Sequence, residues 1–153
     1  MEIPLWLFIK RKKITIANLL SHTGGITVHG FFGYKFDEKI PTLVQILNGQ
    51  KPANSEAIRS MYEPSLKFEY SGGGTTISQL IIEDVTGEPY DKYMWENVLK
   101  PMGMTNSSYT QPPVSSKLNL LATGYYNDGK AIKGNYHIYP ELAAAGLWTN
   151  PTD

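Results

Sequence analysis

A run of glycines marks the point in this chain where one side-chain pattern gives way to another. Lys67 to Tyr70 alternates polar and apolar residues, as in an extended segment, and leads directly into Ser71-Gly-Gly-Gly74. Beyond the glycines, apolar residues recur at helical spacing, and Gly87 stands where a C-terminal cap belongs. These apolar residues are Ile77, Leu80, Ile81 and Val85. The sequence therefore predicts an extended segment that turns abruptly into a helix over residues 75–86.

Cap residues predict three further helices. Residues 14–21 are typical of a short helix with Thr15 as its N-cap and a glycine pair beyond its end. A second helix is predicted over residues 41–48, because Pro41 suits a first turn and Gly49 follows the last residue. Pro89 begins a third helix, which is expected to continue to about Leu99.

The remaining segments are expected to be loops and turns within one unit. Residues 51–66 are rich in Pro, Asn and Ser and predict a loop, and residues 125–130 place an Asn-Asp-Gly turn between two β-prone stretches, as in a hairpin or loop crossing. The chain has no internal repeat and no low-complexity linker, so residues 14–153 are assigned to one partial domain. It stops at Asp153, just where a helix could be starting, and is therefore expected to be a fragment of a longer protein.

Residues 1–13 are assigned to an atypical N-terminal segment. Their basic cluster, Arg11-Lys12-Lys13, follows a short apolar run, which reverses the order found in a secretory signal. The apolar run is also far shorter than the ~20 residues that a membrane span needs. We expect an irregular or strand-like segment with solvated basic residues, and the alternative is an anchor on a membrane surface.

Composition and charge narrow the classes of partner. The 14 basic and 14 acidic residues balance, so no net field attracts nucleic acid. The chain has no cysteine, and its three histidines do not have metal-ligand spacing. We therefore expect a small-molecule substrate, no nucleic acid, no metal and no cofactor.

Four segments together resemble serine β-lactamase-like and penicillin-binding-protein-like hydrolases, the family of class C β-lactamases, D-alanyl-D-alanine carboxypeptidases and related esterases. Each segment is similar to a family motif, and the four occur in the family's order across residues 14–153. They are Ile16-Ala-Asn-Leu-Leu-Ser-His-Thr-Gly-Gly25, Phe68-Glu-Tyr-Ser-Gly-Gly-Gly74, Val98-Leu-Lys-Pro-Met-Gly-Met104 and Ala145-Gly-Leu-Trp-Thr149. Any one match is weak, but their order is specific.

The resemblance implies roles for individual residues. Tyr70 matches the tyrosine of the family's Tyr-Ser-Asn box and is the candidate catalytic residue, as general base or proton relay. Ser71, Gly72 and Trp148 are candidate substrate-binding residues. Gly72 stands where the family usually has Asn, which weakens an assignment as a β-lactamase more than one as a hydrolase. For Ser71 the alternative role is the N-cap of the next helix, and for Trp148 it is core packing.

The other catalytic boxes of the family are not found in this chain. No lysine has a serine three residues before it, so the Ser-x-x-Lys nucleophile box is missing. His22-Thr23-Gly24 has the letters of the Lys/His-Thr-Gly box but precedes Tyr70 by 48 residues, whereas that box follows the tyrosine in the family. We expect these three residues to form a structural turn.

The expected fold class is mainly α with short β segments, as in the helical region inserted into the α/β domain of this family, without its large antiparallel sheet. The expected function is the tyrosine-bearing portion of a serine hydrolase that acts on β-lactam, D-alanyl peptide or ester carbonyls, inactive by itself. The alternative is a non-catalytic binding or interaction module derived from such a hydrolase. Apolar surface left by the missing α/β domain is expected to favour self-association. Relatives are often exported, but the sequence leaves localisation open.

Overall fold

The computed structural model describes residues 12–153, and most of the N-terminal segment assigned to residues 1–13 lies outside the described residues. The helices are short except for one. They are α1 (Ile16–Leu20), α2 (Leu43–Asn48), α3 (Gly72–Thr86), α4 (Tyr90–Met94), which continues as a π-helical turn (Trp95–Leu99), a 3₁₀ helix (Ser115–Leu120) and α5 (Leu142–Ala145).

Local capping interactions set the ends of the first two helices. The Thr15 hydroxyl accepts a hydrogen bond from the Asn18 amide, and the Asn18 side chain accepts one from the Thr15 amide. Thr42 and Gln45 form the same reciprocal pair at the start of α2. Gly49 then ends α2 in the left-handed conformation, with φ at 62°. The predicted Thr15 cap and the predicted glycine after α2 are confirmed.

Helix α3 is the longest helix and contacts α1, α2, α4 and α5. Gly87 ends it with φ at 69°, as predicted, but the helix begins at Gly72, three residues before the expected start. The buried face predicted from the apolar residues is partly wrong, since Val85 is 80% exposed whereas Thr76 and Gln79 are buried. The buried side of α3 is therefore partly polar.

Strand pairing within residues 12–153 is limited to four isolated antiparallel bridges. One bridge joins Tyr34 to Ile138 through two backbone hydrogen bonds, and another joins Ser108 to Trp148 in the same way. A third links Tyr125 to Ala131 across the predicted turn. Except for the Tyr125–Ala131 bridge, the bridges join loops far apart in the sequence, and none is part of a sheet in this part of the chain.

The apolar core lies between α1, α2 and the start of α3. It consists of buried residues from the first 58 positions, with Ile77 and Ile81 of α3 packed against it. The buried members are Leu19, Ile26, Ile46, Ala53 and Ile58. Burial of these side chains drives the docking of α3 onto the N-terminal half of the described chain. In residues 12–153 no helix has both the length and the apolar character needed to cross a membrane.

A second buried region, between α3 and α5, is polar. The Gln79 side chain of α3 donates to the Pro140 carbonyl at 3.3 Å and accepts from the Ala143 amide at 3.3 Å. Glu141, beside this contact, is 0% exposed, and neither of its carboxyl oxygens has a hydrogen-bond partner among the described residues. Burial raises the pKa of Glu141 to about 7.

We expect Glu141 to make the stability of the chain fall as pH rises. Its folded pKa of about 7 lies above the ordinary value of 4.5, so the folded state holds the proton more tightly between these two pH values. The free energy of unfolding should therefore decrease from about pH 4.5 to about pH 7, by on the order of 2–3 kcal/mol for this group. Urea unfolding at pH 5 and pH 8 measures the change.

The matched control is Glu141→Gln, which keeps the shape of the side chain and cannot ionise. The wild-type chain should lose stability relative to this variant as pH rises, because only the wild-type side chain must bury a charge. An equal pH dependence of unfolding in both proteins would show that Glu141 is hydrated or paired in solution.

Candidate active site

Tyr70 lies at the end of an extended segment, immediately before α3. Tyr70 is 52% exposed, and its ring packs against the His22 imidazole, with centroids 4.4 Å apart and ring planes tilted by 42°. Phe68, two residues earlier, also contacts the His22 ring, edge to face at 5.9 Å. Residues 68 and 70 therefore share one side of the extended segment, as the alternation in the sequence predicts.

Lys67 and Glu69, the alternate residues of the segment, belong to a separate polar cluster. The Glu69 carboxylate accepts a hydrogen bond from the Tyr62 hydroxyl at 2.7 Å and pairs with the Lys67 ammonium at 2.6 Å. His29 Nε2 lies 3.6 Å from the other Glu69 oxygen. Hydrogen bonds from Lys67 and then from Tyr62 hold the pKa of Glu69 below its ordinary value. The cluster anchors the residue that directly precedes Tyr70.

Ser71, the residue after Tyr70, is held by the backbone. Its hydroxyl accepts a hydrogen bond from the Gly74 amide at 3.0 Å and lies 2.9 Å from the Thr27 carbonyl, to which it donates. Its residue is 2% exposed. This is the N-cap alternative, and it uses the hydroxyl proton and one of the two acceptor sites of a buried side chain, so a direct contact between Ser71 and a substrate remains a prediction that this geometry does not favour.

The glycines allow the start of α3 to lie against residues 27–29. The Gly72 amide donates to the His29 carbonyl at 3.0 Å, and the Gly73 amide donates to the Val28 carbonyl at 2.9 Å. A Cβ atom on Gly73 would come within 2.5 Å of the Thr27 carbonyl oxygen. Gly72 is also buried, and a Cβ atom there would lie 3.0 Å from the His29 carbonyl oxygen. Close backbone contact therefore explains why a glycine is needed at position 72. Its contact with substrate remains a prediction.

The segment His22-Thr23-Gly24 forms a turn after α1, in agreement with the structural role expected for it. The Thr23 amide donates to the Asn18 carbonyl at 2.9 Å, and His22 adopts a left-handed conformation with φ at 55°. The contact between His22 and Tyr70 joins residues 48 positions apart, and the alternation of residues 67–70 predicts only that Phe68 and Tyr70 share one side of the segment.

Trp148 lies in a different part of the structure. It is half-buried, pairs with Ser108 through the backbone, and contacts the Tyr136 ring edge to face at 5.6 Å. It lines a cavity of about 520 Å³ together with Val114, Lys117 and Leu147, and Tyr70 is not among the lining residues. The structure thus does not bring Trp148 and Tyr70 into one pocket, and the role of Trp148 in substrate binding remains a prediction.

The acidic and histidine side chains of residues 12–153 include no group of three that could hold a metal ion. The candidate site at Tyr70 consists of a half-exposed phenol. Its position is fixed by the hydrogen bonds of Glu69 and Ser71 and by contact with the His22 ring. Such a phenol can accept or donate a proton at its Oη atom if a reacting group is brought to it.

The sequence matches the family described as Beta-lactamase over residues 5–153. The chain belongs to the beta-lactamase family. Protein flp of Staphylococcus aureus (strain NCTC 8325 / PS 47) is 38% identical over 148 residues, which cover 94% of this chain and 26% of flp. The chain thus spans about a quarter of this relative.

Solved structures share the fold of this beta-lactamase-family chain. D-amino acid amidase from Ochrobactrum anthropi SV3 superposes with a TM-score of 0.67 at 19% identity, over 95% of this chain and 42% of the amidase. The beta-lactamase/D-alanine carboxypeptidase from Pseudomonas syringae superposes with a TM-score of 0.62 at 20% identity, over 92% of this chain and 36% of that protein. Both similarities concern the fold, and both cover less than half of the other protein.

The cap formed by Ser71 can be tested by Ser71→Ala. The substitution removes the acceptor for the Gly74 amide and the donor to the Thr27 carbonyl, and should lower the free energy of unfolding by about 1–2 kcal/mol. Urea unfolding followed by circular dichroism measures the loss. Ser78→Ala is the control, because Ser78 lies within the same helix and only bonds back to the Gly74 carbonyl at 3.3 Å. Equal stability of the two variants would argue against the cap.

Proposed function

We propose that this chain is the tyrosine-bearing portion of a serine hydrolase that acts on β-lactam, D-alanyl peptide or ester carbonyls. The observation that carries the proposal is the placement of Tyr70, half-exposed at the start of α3 and braced by the residues on either side of it. A side chain held this way suits proton transfer better than core packing, in which the hydroxyl would be enclosed. Membership of the beta-lactamase family supports the same proposal.

The proposed chemistry is acyl transfer to a serine that lies outside residues 1–153. The serine oxygen bonds to the substrate carbonyl carbon, and Tyr70 Oη acts as a proton relay. It takes the serine proton while its own phenolic proton passes to the leaving group, as the carbonyl bond to that group breaks. Water then hydrolyses the acyl-enzyme. The sequence supports a serine outside residues 1–153, because no lysine within them has a serine three residues earlier.

We also propose that residues 14–153 correspond to the helical region inserted into the α/β domain of the complete fold. The helices α1 to α5 and the isolated bridges support this assignment, since sheet pairing among the described residues does not extend beyond single bridges. The partial coverage of the two solved structures is consistent with a missing α/β domain.

Exposed apolar side chains support a proposal of association. Large apolar residues with more than half of their surface exposed occur on several elements of the described chain, including Phe32, Leu66, Phe68, Val85 and Leu120. In a complete protein the rest of the chain would cover part of this surface. In the chain alone we propose that a second copy covers part of it, because contact with another chain removes apolar side chains from water.

The second candidate function is a non-catalytic binding or interaction module derived from such a hydrolase. The cavity beside Trp148 favours it, because apolar residues line the cavity together with Lys117. The buried indole N–H of Trp148 also has no hydrogen-bond partner among the described residues. A module of this kind would bind a small molecule without needing Tyr70.

An activity measurement separates the two functions. The isolated chain should not be labelled by a fluorescent penicillin and should not hydrolyse a nitrophenyl ester, since the serine nucleophile is outside it. In a reconstructed enzyme, residues 14–153 are joined to the Ser-x-x-Lys and Lys/His-Thr-Gly segments of a related hydrolase. Tyr70→Phe should lower kcat/KM for the ester by about 10²-fold or more, because it removes a positioned acid and base.

Tyr125→Phe is the matched control, since Tyr125 is an exposed tyrosine that pairs with Ala131 beside the turn. It should leave kcat/KM unchanged. Hydrolysis by the Tyr70→Phe enzyme at the rate of the Tyr125→Phe enzyme would remove Tyr70 from the mechanism. A folded reconstructed enzyme that binds penicillin without reacting would favour the binding module.

A further inference from the structure

We infer that His22 is a positioning residue for Tyr70, holding the phenol in the orientation that proton transfer requires. This inference rests on the proposed function of Tyr70. It arises because His22 contacts each of three consecutive residues, Glu69, Tyr70 and Ser71, with a different group. The three contacts join the turn after α1 to the residues that lead into α3.

The His22 backbone makes the first contact. Its carbonyl accepts a hydrogen bond from the Glu69 amide at 2.8 Å. His22 reaches this position by leaving α1 in the left-handed conformation, with φ at 55°, which non-glycine residues seldom adopt. The unusual backbone conformation directs both the carbonyl and the side chain of His22 to the segment that carries Tyr70.

The imidazole makes the other two contacts. Its Nδ1 atom accepts a hydrogen bond from the Ser71 amide at 3.2 Å, so in this arrangement Nδ1 bears a lone pair and the ring proton of a neutral imidazole lies on Nε2. The same ring lies against the Tyr70 ring at 4.4 Å and 42°. The hydrogen bond from the Ser71 amide therefore fixes the orientation of the imidazole ring that contacts the Tyr70 phenol.

These contacts restrict Tyr70 from both sides. Ser71 is fixed by the cap of α3, and Glu69 is fixed by Tyr62 and Lys67, so the backbone of Tyr70 cannot shift alone. The imidazole packed against the phenol ring then limits rotation of the phenol. Because a displacement of about 1 Å at a catalytic group can cost about 10²-fold in rate, loss of the imidazole should reduce turnover more than substrate binding.

Two substitutions of His22 in the reconstructed enzyme separate the effect of its ring from the effect of its hydrogen bond to the Ser71 amide. His22→Asn suits the left-handed backbone but removes the ring. His22→Phe retains a ring and removes the acceptor for the Ser71 amide. We expect His22→Asn to lower kcat by about tenfold or more with little change in KM. His22→Phe should recover part of that loss.

A double substitution tests whether His22 acts through Tyr70. In a Tyr70→Phe enzyme, adding His22→Asn should cause no further loss of kcat, because there is no phenol left to position. His137→Asn is the matched control, since the His137 imidazole donates to the Phe32 carbonyl at 2.9 Å and belongs to neither the Tyr70 contacts nor the Glu69 cluster, and it should retain wild-type kcat. If Tyr70→Phe is inactive while His22→Asn and His22→Phe both keep full kcat, the positioning role is wrong and the role of Tyr70 stands.

A measurement on the 153-residue chain keeps the inference testable if a variant does not fold. Nuclear magnetic resonance of the ¹⁵N-labelled protein should detect a scalar coupling between the Ser71 amide nitrogen and His22 Nδ1, across their hydrogen bond. It should also detect nuclear Overhauser contacts between the two rings. Absence of both signals in the folded chain would overturn the inference.

Discussion

The docking of the start of α3 onto residues 27–29 is the constraint on which the candidate site depends. Ser71 caps the helix, and the amides of Gly72 and Gly73 donate to carbonyls of that segment. The contact is possible because Gly73 has no Cβ atom, which would otherwise lie 2.5 Å from the Thr27 carbonyl oxygen. It ends the extended segment at a fixed point. Tyr70 occupies that point and is therefore half-exposed instead of enclosed in the core.

The features that the sequence predicts best are those that depend on nearby residues. Thr15 and Gly87 act as caps through neighbours within a few positions, and Ser71 caps α3 through an amide three residues away. The contact between His22 and Tyr70 joins positions 48 residues apart, and no local pattern encodes it. The burial of Gln79 has the same cause, because its partners Pro140, just before α5, and Ala143, in α5, lie 61 and 64 residues away. The apolar pattern alone therefore assigned α3 a buried face that includes the exposed Val85.

The polar interior between α3 and α5 differs in kind from the apolar core beside α1 and α2. In the core, burial of aliphatic side chains stabilises the packing of the helices. Between α3 and α5, the Gln79 amide satisfies backbone groups, while the buried Glu141 carboxyl lacks a partner among the described residues. The chain also spans under half of the solved structures that share its fold. Both features fit our proposal that residues 14–153 form one region of a larger protein.

The most direct test of the account is a crystal structure of the reconstructed enzyme acylated by a β-lactam. The measured quantity is the distance from Tyr70 Oη to the Oγ atom of the acylated serine. We expect about 2.6–3.2 Å, the range for proton transfer along a hydrogen bond. A Tyr70 hydroxyl turned away from the acylated serine, with neither a direct hydrogen bond nor a single bridging water between them, would contradict the proposal that Tyr70 transfers the proton.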